Sequence, residues 1–75
     1  MLRYKISAEG EVAARVNGDP WSDYFFGVSN PQEFIEELER KGWSVQRIDP
    51  PDEEVWGGPA HPPVRKRRVI AIARK

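Results

Sequence analysis

The sequence predicts a small α+β domain of order β-β-β-α-β-β, a mostly antiparallel sheet with one helix packed on one face. Three observations carry this. Residues 30–43 spell a short helix with both ends marked. Leu2 to Ser7 alternates strictly between apolar and polar, as a half-buried strand does. Val69-Ile70-Ala71-Ile72-Ala73 is apolar on both faces, which suits a strand in the middle of a sheet.

The first strand places Leu2, Tyr4 and Ile6 on one side, and Ala8-Glu9-Gly10 can turn it. Glu11 to Val16 alternates more weakly, with Val12, Ala14 and Val16 together. Asn17-Gly18 is a strong hairpin signal and leads through Asp19-Pro20 to a third strand around Tyr24 to Val28.

The helix is the clearest element. Asn30 is placed to accept from an orphan amide of the first turn. Pro31 occupies the first helical position, where its missing N–H costs nothing, and Glu33 stands at the capping-box spacing. Phe34, Ile35 and Leu38 make a narrow apolar stripe, so one face packs. Acidic residues come early and basic residues late, matching the helix dipole, with Glu36–Arg40 and Glu37–Lys41 spaced for i,i+4 pairing. Gly42 supplies a left-handed stop, with Lys41 as C-cap, and that pairs Leu38 with Trp43.

A strand from Trp43 to Ile48 follows, stopped by Pro50-Pro51. Residues 50–63 hold five of the seven prolines together with Gly57-Gly58, and composition predicts an irregular loop there. Val64 to Arg74 forms the last strand. The whole chain, residues 1–75, reads as a single domain without internal repeats.

At 75 residues the chain can bury only about 60% of its unfolded surface. With no cysteine, no disulfide or thiolate-bound metal staples the core. The lack of cysteine, of a membrane-length apolar run and of a leader-like start predicts a soluble cytoplasmic protein with no membrane partner. Because one short helix covers only part of a five-stranded sheet, a homodimer burying the other face is expected.

The net charge is zero but unevenly placed. Residues 1–60 carry six basic and all twelve acidic side chains, whereas residues 61–75 carry six basic side chains and no acidic one. Either the basic strand lies beside acidic neighbours that compensate it, or it offers an edge to an anionic partner.

Tyr4-Lys5-Ile6, Glu37-Leu38 followed by Gly42-Trp43-Ser44-Val45, and Val69-Ile70-Ala71-Ile72 closing on Arg74-Lys75 together resemble a family of small bacterial α+β domains of unknown function. Members have an early Tyr-Lys strand, a helix ending in Gly-Trp and a basic-ended last strand. The likeness spans the first strand and residues 34–75, and the hairpin around Asn17-Gly18 departs from the family's more compact pattern. The resemblance implies a fold and no activity.

No catalytic, metal or phosphate motif is present, and no cofactor is expected. His61, the one histidine, has only Asp52, Glu53 and Glu54 near it in sequence, without ligand spacing. Ser7, Ser22, Ser29 and Ser44 lack a neighbouring base, and Gly57-Gly58 is followed by neither Lys-Ser/Thr nor a helix. The sequence therefore predicts a non-enzymatic module acting by protein–protein contact, most simply with itself. The alternative is a nucleic-acid-binding module. Its candidate residues are Arg65, Lys66, Arg67 and Arg68, which a strand would split two to each face, with Trp56 as a stacking surface or an exposed anchor for a protein. Against nucleic acid stands the zero net charge.

Overall fold

The computed structural model describes residues 2–16, 24–58 and 61–75. They form β1 (Leu2–Ser7), β2 (Glu11–Val16), β3 (Tyr24–Gly27), α1 (Pro31–Arg40), β4 (Ser44–Gly58) and β5 (His61–Arg74). The five strands make one antiparallel sheet in the order β3-β2-β1-β5-β4, with α1 on one face. The α+β order expected from sequence is the observed one. Asn17-Gly18 and Trp21 lie outside the described residues.

Local chemistry sets the turns. Between β1 and β2, Gly10 has φ +85°, and an added Cβ there would lie 2.7 Å from the Val28 carbonyl oxygen. The Val28 N–H donates to the Gly10 carbonyl across this close approach. Ser7, fully buried, closes the same turn: its hydroxyl donates to the Glu11 carbonyl at 2.7 Å and accepts from the Glu11 N–H at 3.0 Å.

The helix ends form as the sequence dictates. The Glu33 N–H donates to Asn30 Oδ1 at 3.1 Å, and Pro31 opens the helix. At the other end the Trp43 N–H donates to the Leu38 carbonyl and the Gly42 N–H to that of Glu39, with Gly42 at φ +88°. This pair of bonds is the Schellman stop. Glu37–Lys41 forms an ion pair at 3.4 Å. Ile35 and Leu38 are buried against Ile6, Val12, Ala71 and Ala73. The two alanines let the helix approach β5 closely, and Arg47 on β4 ties α1 down through Gln32 and Glu39.

The described part of 50–63, residues 50–58 and 61–63, is not an irregular loop. β4 continues to Gly58, β5 begins at His61, and the two form a long hairpin. Pro50 and Pro51 are tolerated because β4 is an edge strand and they fall in a bulge where the ladder is interrupted. Residues 48–51 there stand opposite Ile70 alone, and the Asp49–Pro50 peptide is cis. Ile70 is also the extra residue against β1, since Ile6 faces Ala71 and Ser7 faces Val69. The bulge changes the side to which β5 residues point. Ala71 and Ala73 sit beneath the helix, whereas Val69 belongs to a second cluster with Ala13 and Trp56, against which Phe25, Ile48 and Ile72 pack.

Past this bulge the hairpin forms an arm that folds across the sheet face opposite the helix and reaches β2 and β3. Trp56 on the arm is only 6% exposed and stacks on Phe25. Both sides of the run Val69–Ala73 are therefore covered within one chain. The sequence-based reason for a dimer, an uncovered sheet face over this strand, does not hold.

Candidate functional site

The hairpin splits Arg65, Lys66, Arg67 and Arg68 two to each side. Arg65 and Arg67 pair across the ladder with Trp56 and Glu54, and Lys66 and Arg68 with Val55 and Glu53. Three of the four cations share two carboxylates, Glu9 in the β1–β2 turn and Glu11 at the start of β2. Arg65 and Arg67 both reach Glu11 Oε2, at 3.1 and 3.3 Å. Arg68 grips Glu9 through its guanidinium at 2.7 Å and its backbone N–H at 2.9 Å. That backbone N–H, with the guanidinium, holds the Glu9 carboxyl below its ordinary 4.5 despite some loss of hydration. Lys66 is exposed and has no ion pair among the described residues. The four-cation run is thus chiefly the clamp that seats the arm.

Trp56 is not an exposed anchor. Its ring is buried between Phe25, Ala13 and Val69, and its indole N–H donates to Glu54 Oε1 at 3.2 Å. Lys5 Nζ meets the same oxygen at 2.9 Å. Burial pushes the Glu54 carboxyl up, but the hydrogen bonds from Lys5 and Trp56 and the charges of Lys5 and Arg3 outweigh it and leave it lowered. Trp56, Arg65, Arg67 and Arg68 hold the arm in place, and Arg65, Lys66 and Arg68 are exposed at its surface while Trp56 is not.

Two surfaces that the sequence did not single out do remain open. On the helix side, Tyr4 is the hub of an aromatic cluster. Trp43 stacks on it at 4.8 Å, and Phe34 and Phe26 lie at 5.9 and 5.7 Å. Phe26 and Phe34 also meet edge to face, and Lys75 Nζ stands 5.9 Å over the Trp43 ring. Tyr4, Phe34 and Trp43 are half-buried, and Phe26 is 36% exposed. Trp43 was legible as a core partner of Leu38; its stacking on Tyr4 depends on how the strand and helix meet.

On the opposite side, register puts Arg15, Arg3 and Arg74 on three neighbouring strands in one row. Arg3 faces Arg15 across β1–β2 and Arg74 across β1–β5, while Arg74 faces Ser44 across β5–β4. The next row on this face carries Ala13, Lys5, Ile72 and Gln46. Alternation in β1 already put Arg3 and Lys5 on its polar side, but only the pairing register brings Arg15 and Arg74 beside them.

Among the described residues no three His, Cys, Asp or Glu side chains gather as metal ligands would. The backbone of His61 lies in β5, paired with Gly58. No helix among the described residues is long and apolar enough to cross a membrane. Comparison with known proteins found no matching family model, no similar curated protein and no similar solved structure.

Proposed function

We propose that this protein is a small non-enzymatic module acting through protein–protein contact, that it self-associates, and that the contact is the aromatic patch Tyr4, Phe26, Phe34 and Trp43. The observation that carries this reading is the exposure of Phe26 at the margin of three half-buried rings. Large aromatics grouped at a surface supply rigid apolar area at low entropic cost, and they are the residue types that dominate interface energies. A net charge of zero adds no long-range repulsion between copies. A two-fold dimer would place the same patch against itself. The reading includes a cytoplasmic location, which the absence of cysteine supports.

Sedimentation equilibrium at high micromolar concentration tests it. We expect a dimer for the parent chain and a shift to monomer for Phe26→Ser. A parent chain that sediments purely as monomer removes self-association from the reading.

A further inference from the structure

We propose that the arginine row Arg15–Arg3–Arg74, on the sheet face away from the helix, is a binding site for the phosphate backbone of a single-stranded nucleic acid. Like charges directly opposite one another on adjacent strands destabilise a sheet, and here two such pairs share Arg3. Among the described residues Arg3 and Arg74 form no ion pair, although Glu54 lies near enough to Arg3 to feel its charge. Glu54 is itself engaged by Lys5 and the Trp56 indole. Arg15 makes a further contact of its own, so the open guanidiniums are those of Arg3 and Arg74. Sequences that break a local rule in this way tend to do so at functional positions.

The chemistry and the shape narrow the ligand. Guanidinium forks bind phosphate oxygens in pairs. Neighbouring strands lie about 4.8 Å apart, and the long side chains of Arg3 and Arg74 on two of them can reach consecutive phosphates of an extended strand. Exposed Ser44 beside Arg74, and exposed Gln46 in the next row, prolong the surface with neutral hydrogen-bonding groups. The row is a narrow margin of this sheet face beside the part that the arm covers; it does not enter a duplex groove as a helix does, whereas a flexible single strand can lie along it.

The acidic side chains Glu33, Glu36, Glu37 and Glu39 belong to α1, on the other side of the sheet, and do not face the row. For the same reason they are poor occupants of it in a second copy. Pairing the back of one molecule with the front of the next is head-to-tail and gives a ring or a filament, not a two-fold dimer.

The test is fluorescence anisotropy of a labelled oligothymidylate titrated with the full chain over a range of salt. With two phosphates neutralised on a single strand, affinity should fall about sevenfold between about 50 and 200 mM salt. For Arg3→Gln or Arg74→Gln the same change should cost about 2.6-fold, reflecting one phosphate fewer. The double variant should lose the salt-dependent binding while its melting temperature stays at or above that of the parent. Arg65→Gln should bind as the parent does. Binding that survives in the double variant, or is lost in Arg65→Gln instead, overturns the proposal. So does equal or tighter binding of a duplex, or of inorganic polyphosphate matched in charge, and so does absence of binding at the lowest salt.

Discussion

The Trp56 ring stacks on that of Phe25 at 5.7 Å between centroids and 21° between planes, although they lie on opposite edge strands of the sheet. The contact exists because the β4–β5 arm turns back across the open face, and it makes Trp56 the chief apolar anchor of the arm. Replacing this side chain with alanine should cost about 3–5 kcal/mol, as for other buried aromatics. That is a large fraction of the stability of so small a domain. Denaturant unfolding checks it: a midpoint equal to wild type would mean that the arm is not held by this ring.

The two glycines with positive φ should respond differently to alanine. At Gly42 an added Cβ meets nothing within 4 Å, so only backbone strain of about 1–2 kcal/mol is expected. At Gly10 the same strain is joined by a clash with the Val28 carbonyl oxygen. Gly10→Ala should therefore be clearly the less stable of the two by thermal or denaturant unfolding. Equal losses would argue against the close approach of the turn to Val28.

Ser7→Ala would leave the Glu11 N–H and carbonyl without the hydroxyl that now satisfies both. A loss of about 1–3 kcal/mol is expected, the usual consequence of stranding buried polar groups. Ser7→Thr keeps the hydroxyl but adds a methyl group at a fully buried site, so it should not restore full stability.

Acid should loosen the arm first. Glu54 and Glu9 both have lowered pKa values in the folded protein. A carboxyl lowered by folding contributes stability that is present above its unfolded value and lost as pH falls through the folded one. Stability should thus decline as pH drops below about 4.5, and Glu54→Gln should show a shallower decline than the parent. Unfolding curves collected from neutral pH into the acid range test this; identical pH profiles would remove Glu54 from the account.

The helix ends were legible because their signals are local: Asn30, Pro31 and Gly42 act within a turn of where they stand, whereas of the two expected ion pairs Glu37–Lys41 forms and Glu36–Arg40 does not. The fold class followed from alternation and from the apolar run in β5. The arm was not legible, because proline and glycine near 50–63 report only that a regular ladder is locally difficult. Whether an edge strand and a bulge can absorb them is decided by tertiary context. The basic run was visible as charge, but its partners Glu9 and Glu11 lie more than fifty residues earlier in the chain. The arginine row shows the same limit from the other side, since Arg3, Arg15 and Arg74 become neighbours only once three strands are in register.

The change of side at Ile70 also has a kinetic meaning. β5 gives Ala71 and Ala73 to one hydrophobic layer and Val69 to the other, and it pairs with β1 from the far end of the described chain. Neither layer can close while β5 is missing, so a nascent chain that has made only β1, β2, β3 and α1 holds the β3-β2-β1 half of the sheet alone. Completing either layer therefore requires β5. Pairing β5 with β1 joins strands from distant parts of the chain, the kind of contact that slows folding.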